Sequence, residues 1–257
     1  MRLGSTVLVA LFLAALGTAA LAQSFDSDAL SFAKIPPGLG TPVSAKVPAC
    51  PLLEPTDIPD GISPEHFAVA FKGPKPLPVD TFRECNLPNF NRPEVRVFSV
   101  DAFNAVDKES VAVFAKLQAV LKAGKLDPNA DIPFQLFVDA HPAFVEHVAF
   151  QRFQNGQGFG FLTQWMIESD TIGDQLVYLF QGITDDGKSY VVAYVPIRSL
   201  RPLDSFPEFR NETYEQSEAR YAPYSAKITA IVRAAGDSEF QPDLAAIREW
   251  LATILVK

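Results

Sequence analysis

Three histidines, two cysteines and a few close-set carboxylates are the side chains of this chain best suited to chemistry. His141 and His147 stand beside Asp139 and Glu146 in the run DAHPAFVEH, a composition that invites a metal ion. Six residues apart would place both imidazoles on one strand face, but Pro142 interrupts that strand. A structural metal site also needs further ligands in fixed positions. The spacing therefore predicts one solvated loop histidine and one hydrogen-bonded hairpin histidine, with no metal and no cofactor. His66 stands alone among prolines. Asp185-Asp186-Gly187 lacks the alternating oxygen ligands of a Ca²⁺ loop, and a solvated hairpin turn accounts for it.

Nucleophilic and phosphate chemistry find less support. The sequence has no Gly-x-Ser-x-Gly elbow, no Ser-x-x-Lys and no cysteine beside a plausible base. Gly156-Gln-Gly-Phe-Gly160 lacks the Lys-Ser/Thr and the following helix of a phosphate loop. What remains is a polar and aromatic set on two hairpins: Arg152, Gln164, Trp165, Gln181 and Tyr190. Gln164 and Gln181 sit in apolar strands, and a buried amide must find partners. Those partners are either the backbone of a curved sheet or a ligand or partner peptide in a shallow groove. The first expectation is a non-enzymatic binding or interaction domain. A hydrolase built from dispersed carboxylates and His147 is the alternative, because scattered acid–base pairs leave no local signature. A structural accessory subunit is a third.

The N-terminus bears on compartment. Met1-Arg2-Leu3 carries one positive charge, Thr6 to Leu21 is apolar or small, and Ala20-Leu21-Ala22 precedes polar Gln23-Ser24. Basic, apolar, then Ala-x-Ala is the build of a cleavable secretory signal. The competing reading is a membrane anchor. Cleavage after Ala22 and a secreted or periplasmic protein are expected. In an oxidising compartment, Cys50 and Cys85 are most simply one disulfide. Its loop of about 35 residues would contribute roughly 3.5–4 kcal/mol in the loop-entropy model. A metal pair or a reactive thiol are the other readings of these cysteines.

The 257 residues carry a net charge of -8 with 48% hydrophobic side chains, which removes disorder from consideration. An acidic chain without a basic stretch argues against nucleic acid or an anionic membrane as partner. After the first 30 residues no apolar run approaches the ~18 needed to span a bilayer. The expected partner is a protein or small ligand outside the cytoplasm.

The elements that must position these residues fall in two textures. Between Pro36 and Pro93 prolines recur every few residues, which disfavours long helices and central strands. Residues 23–92 therefore read as an extended arm laid over the domain, with its first dozen residues mobile. From residue 93 to 257 an α+β domain is expected. Glu94 to Val100 alternates as a half-buried strand. Asn104 starts a helix that Gly124 stops. Ile132 to Phe137 suggests an edge strand. Hairpins run from about Val145 to Met166 and from Leu176 to Val195, with turns at Asn155-Gly156-Gln157-Gly158 and Asp185-Asp186-Gly187. The arms of the second are apolar throughout, which places them at the centre of the sheet with both faces covered. Tyr190 and Val192 should then face one layer, Val191 and Ala193 the other. Asn211 to Tyr221 and the stretch after Pro223 read as helical. A last helix from Pro242-Asp243 puts Leu244, Ile247, Leu251 and Ile254 in one stripe. Strands and helices segregate, so the fold class is α+β: a curved antiparallel sheet with packed helices, helices at the C-terminus, and a proline-rich N-terminal arm.

Gly158-Phe-Gly-Phe-Leu-Thr-Gln-Trp165, Leu179-Phe-Gln-Gly-Ile-Thr-Asp-Asp-Gly-Lys-Ser-Tyr-Val191, Val195-Pro196 and Phe240-Gln-Pro-Asp-Leu244 together resemble a family of uncharacterised exported bacterial proteins. Its members read approximately GVRFLTQY and YTFQGLTxDGKYYV in the first two segments. Gly160 stands where that family has arginine. The resemblance implies bacterial origin and export, and carries over no catalytic residue. The element order is also similar to the PsbP/Mog1 fold, an analogy of architecture that does not transfer function.

Overall fold

The computed structural model describes residues 23–50, 62–73, 75, 77–78, 81–82, 90–127, 131–135, 140–173, 176–206 and 213–257. The expected signal segment 1–22, Cys85, Asp139, residues 136–137 of the expected edge strand, and Asn211 lie outside them. In chain order the elements are β1 (Gln23–Asp26), β2 (Leu30–Ile35), β3 (Thr41–Val47), β4 (His66–Lys72), β5 (Glu94–Ser99), α1 (Val100–Val106) and α2 (Ser110–Ala123). There follow β6 (His141–Pro142), β7 (Glu146–Phe153), β8 (Gly156–Thr163), β9 (Trp165–Met166), β10 (Leu176–Thr184) and β11 (Ser189–Ser199). The chain ends with α3 (Tyr214–Ala234), β12 (Phe240–Gln241), α4 (Leu244–Leu251) and β13 (Leu255–Val256).

The main sheet is antiparallel, in the order β3-β4-β5-β11-β10-β8-β7, with β12 paired to the end of β11. Every residue of β10 is buried, as an interior strand with both faces covered requires. Side-chain alternation on β11 divides the core in two. Val191, Ala193 and Val195 pack with Leu244, Ile247, Trp250, Leu251 and Ile254 on one face. Tyr190, Val192 and Tyr194 pack with Phe103, Phe114, Leu117 and Leu121 of α1 and α2 on the other. The two-sided covering read from the apolar hairpin is thus what the fold contains. Among the described residues no helix is long and apolar enough to cross a membrane.

The proline-rich arm gives more to the sheet than its prolines suggest. β4 is an interior strand between β3 and β5, where no central strand was expected. His66–Lys72 is itself free of proline, and Pro42 sits on the edge strand β3, where a missing donor breaks no ladder. The residues expected to be mobile are strands too. β2 pairs with both β1 and β13, and Leu30 and Phe32 are buried.

Several local expectations are corrected. The helix expected from Asn104 to Leu121 is two helices, broken at residues 107–109. Ser99 caps the first, its Oγ accepting from Ala102 N, while Asn104 Oδ1 accepts from Ser110 Oγ. Residues 132–135 form no strand. α3 runs unbroken through Pro223. The tyrosines on either side of that proline, Tyr221 and Tyr224, both pack on Phe206 and hold the two halves in line. Of the expected turn, Gly156, Gln157 and Gly158 belong to β8, as does Gly160. The ring of Phe180 lies where a Gly158 Cβ would go, and that of Tyr178 over Gly160. Gly160 is therefore room for a neighbouring aromatic ring.

Candidate functional site

A cavity of about 710 Å³ opens beside the edge strand β7, between the chain leaving α2 and the last turns of α3. Small-ligand pockets span roughly 300–1,000 Å³, so its size suits a small molecule. Leu126, Ile132, Phe134, Val145, Val148 and Trp165 give it an apolar and aromatic lining. Trp165 is set by the two-residue β6–β9 pairing, Pro142 opposite Trp165. Its indole stacks on Phe134 (5.3 Å) and on Phe90 (6.1 Å). Its buried Nε1 has no hydrogen-bond partner. Asp127, Asp131 and His141 supply polar groups. Glu146 accepts from Arg233 Nε (3.0 and 3.1 Å) and Nη2 (2.7 Å), and this bidentate pair ties β7 to α3.

Of the polar and aromatic set singled out on the hairpins, Trp165 alone lines the cavity, joined by His141 and Glu146 of the histidine run. Gln164 staples its own loop, donating from Nε2 to Thr171 O (3.0 Å) and accepting from Gly173 N (3.0 Å). Arg152 forms an exposed ion pair with Asp185 (2.6 Å) that joins the two hairpin turns. Gln181 and Tyr190 meet in the core, with Tyr190 OH donating to Gln181 Oε1 (3.1 Å). Burial raises the Tyr190 pKa above the ordinary phenol range. Gln164 thus bonds to backbone, whereas the oxygen of Gln181 meets a side chain and its Nε2 has no hydrogen-bond partner among the described residues.

His147 sits in a bulge of β7 at φ 52°, its Nε2 against Val232 O at 2.8 Å and its ring on edge to Phe240. His141 is exposed at the cavity. Asp186 caps its own turn: Oδ1 accepts from Thr184 Oγ1 (2.7 Å) and Lys188 N (3.0 Å). The Thr184 bond, followed by that of Lys188 N, lowers the carboxyl pKa. Gly187 supplies the positive φ, 74°. Cys50 is buried and bridges to Ser63 through backbone hydrogen bonds of 2.8 and 3.0 Å.

A buried charge cluster was missed. Alternation suggested that β5 turns its polar residues to solvent, yet Glu94 is 1% exposed and Arg96 3%. Glu94 accepts from Arg96 Nε (2.5 Å) and, on its other oxygen, from Arg92 Nη2 (3.2 Å). The pairing is invisible to polarity alone because a charged residue carries no mark of the buried partner that will compensate it. The two-residue spacing of Arg92, Glu94 and Arg96, same-face neighbours on an extended chain, was the available signal.

His66 lies beside this cluster, stacked on Phe98 (4.3 Å), with Nδ1 against Pro64 O (3.0 Å). Burial, reinforced by the Arg96 charge and opposed by the Pro64 bond, pushes its pKa down to about 4. Neutral His66 is thus the form that fits the fold. Above the unfolded value of 6.5 neither state binds the proton, so the full stability is present. As pH falls from 6.5 towards 4, the unfolded chain takes up a proton that the fold refuses. The loss is about 1.4 kcal/mol per pH unit, or about 3 kcal/mol over that window. Urea titrations should show wild type losing more stability than His66→Gln between pH 7 and 4. Equal losses would mean that folded His66 titrates like a solvated imidazole.

Compared with protein-family models, curated proteins and solved structures, the chain matches none.

Proposed function

We propose that the chain is an exported, non-enzymatic binding domain whose small ligand occupies the cavity beside β7. The carrying observation is the cavity itself: about 710 Å³, walled by apolar and aromatic side chains, with polar groups at its margin. The signal-like N-terminus and the resemblance to exported bacterial proteins support a periplasmic or secreted bacterial protein starting at Gln23. The same compartment supports a disulfide between Cys50 and Cys85. A hydrolase is the second reading, and it draws on the same cavity, which His141, Asp127 and Asp131 all line.

The test is native mass spectrometry of protein purified from its own host, with Val148→Trp alongside. Val148 is 39% exposed and lines the cavity, so a larger ring there fills the space without entering the core. A retained small molecule on wild type that is lost from Val148→Trp is the expected result. No retained mass, or one that the substitution leaves in place, overturns the assignment. Chemical conversion of the released molecule by wild type but not by Asp131→Asn would establish the hydrolase instead. Peptide mapping of the same sample should show Gln23 as first residue and a Cys50–Cys85 cross-link. An intact Met1 or two alkylated thiols would refute export or the bridge.

A further inference from the structure

Asn155-Gly156 is the only Asn-Gly step in the chain, and we infer that it is a site of spontaneous deamidation whose rate is set by the docking of β13. Glycine has no Cβ to keep its nitrogen away from the side chain before it. An asparagine amide is therefore most open to the next peptide nitrogen when that residue is glycine. The Gly156 nitrogen gives up its proton and bonds to Asn155 Cγ, and the Cγ–Nδ2 bond breaks. Nδ2 leaves as ammonia, taking the proton that Gly156 lost. Water then opens the cyclic imide at either carbonyl, which leaves an aspartate or its β-linked isomer at position 155. No electrons are exchanged, and water is the one co-reactant.

The fold holds both reacting groups. Gly156 is buried in β8, paired with Phe153 on one side and Thr184 on the other. Packing demands glycine there, because the Phe153 ring and Ile183 O stand where a Cβ would go. Asn155 is clamped by the C-terminus: its Nδ2 donates to Val256 O (2.7 Å) and its Oδ1 accepts from Val256 N (3.1 Å). Gln154 N adds a bond to Ile254 O (2.9 Å). On its other edge β13 pairs with β2, and Lys257 N donates to Ala29 O (3.0 Å). The Asn155 amide therefore stands in for a neighbouring strand along the outer edge of β13. To react, that amide must leave Val256 and swing onto the Gly156 nitrogen, so the reaction draws on molecules whose last strand has lifted. The product reinforces the opening. An ionised aspartate only accepts hydrogen bonds, so it has no proton for Val256 O, and conversion loosens the strand whose docking had prevented it.

The test is ageing of the mature protein in mildly alkaline buffer, with peptide mapping of the segment that holds residue 155. Folded wild type, Val256→Pro, a chain ending at Leu255 and wild type in urea are compared. The chain ending at Leu255 lacks both partners of the Asn155 amide. It is expected to deamidate about thirtyfold faster than folded wild type, equivalent to about 2 kcal/mol or two ordinary hydrogen bonds. Val256→Pro removes the N–H donor alone, on the edge that faces away from β2, and should fall between the two. Unfolded wild type sets the upper limit. Folded wild type that reacts as fast as it does in urea overturns the inference. So does a Val256→Pro protein that reacts no faster than wild type, and this full-length variant decides where the shortened chain does not fold. Asn155→Asp, a copy of the product, should speed hydrogen exchange at the Lys257 amide by about tenfold. Unchanged exchange there would overturn the self-loosening step.

Discussion

A chain ending at Asp243 is expected to be insoluble or molten. The deletion takes away α4 and β13, and with them Leu244, Ile247, Trp250, Leu251, Ile254 and Val256, all buried. Trp250 is the keystone, edge-on to Phe32 (5.6 Å) and to Phe71 (5.4 Å). It therefore joins β2 to the main sheet through β4. Each lost side chain is worth roughly 1.5–3 kcal/mol, and six together rival the whole stability of a typical domain, about 5–15 kcal/mol. The loss is compounded where β2 forfeits the β13 ladder and Asn155 its two bonds to Val256. Size-exclusion chromatography and a thermal melt decide it. A monomer with a sharp transition would show that the last helix is an appendage.

Replacement of Glu94 by Gln should cost about 3–5 kcal/mol, since removing one partner leaves the Arg92 and Arg96 charges uncompensated in the interior. The desolvation of two guanidiniums then goes unopposed, whereas in the wild type a single carboxylate serves both. The double variant Glu94→Leu/Arg96→Met should be less destabilised than Glu94→Gln, because apolar side chains of similar length carry no desolvation penalty. Urea denaturation gives both numbers. A Glu94→Gln loss within about 1 kcal/mol, the range of exposed pairs, would mean that water reaches the cluster.

Sequence periodicity reported what a single element does with its own two faces. The apolar arms of β10 and β11, the terminal stripe from Leu244 to Ile254 and the Asp186–Gly187 turn all behave in the structure as their patterns imply. Pairing between distant segments was illegible. β4 reads as a short apolar run amid prolines, and only its ladder to β5 makes it interior. Glu94 and Arg96 read as solvent-facing because a charge carries no mark of the partner that will neutralise it. The cavity is harder still. Its described walls come from residues 126–127, 131, 132, 134, 140–146, 148, 165, 229 and 233, which share no local period. Trp165 could be singled out as an aromatic on a hairpin; Asp131, Val148 and Arg233 carry no such mark.

The pairing of β2 with β13 also dictates when the protein can finish folding. Ala33 and Thr253, which exchange two hydrogen bonds across this seam, are 220 residues apart. A chain emerging from its N-terminus displays Phe25 and Phe32 long before Trp250 exists to cover them. Closing so long a loop carries its entropy cost ahead of any reward, and topologies dominated by distant contacts fold slowly, on the order of milliseconds to seconds. Throughout elongation the nascent polypeptide is thus a client with an unsealed apolar seam. Closure of that seam waits on the arrival of Thr253 and Trp250.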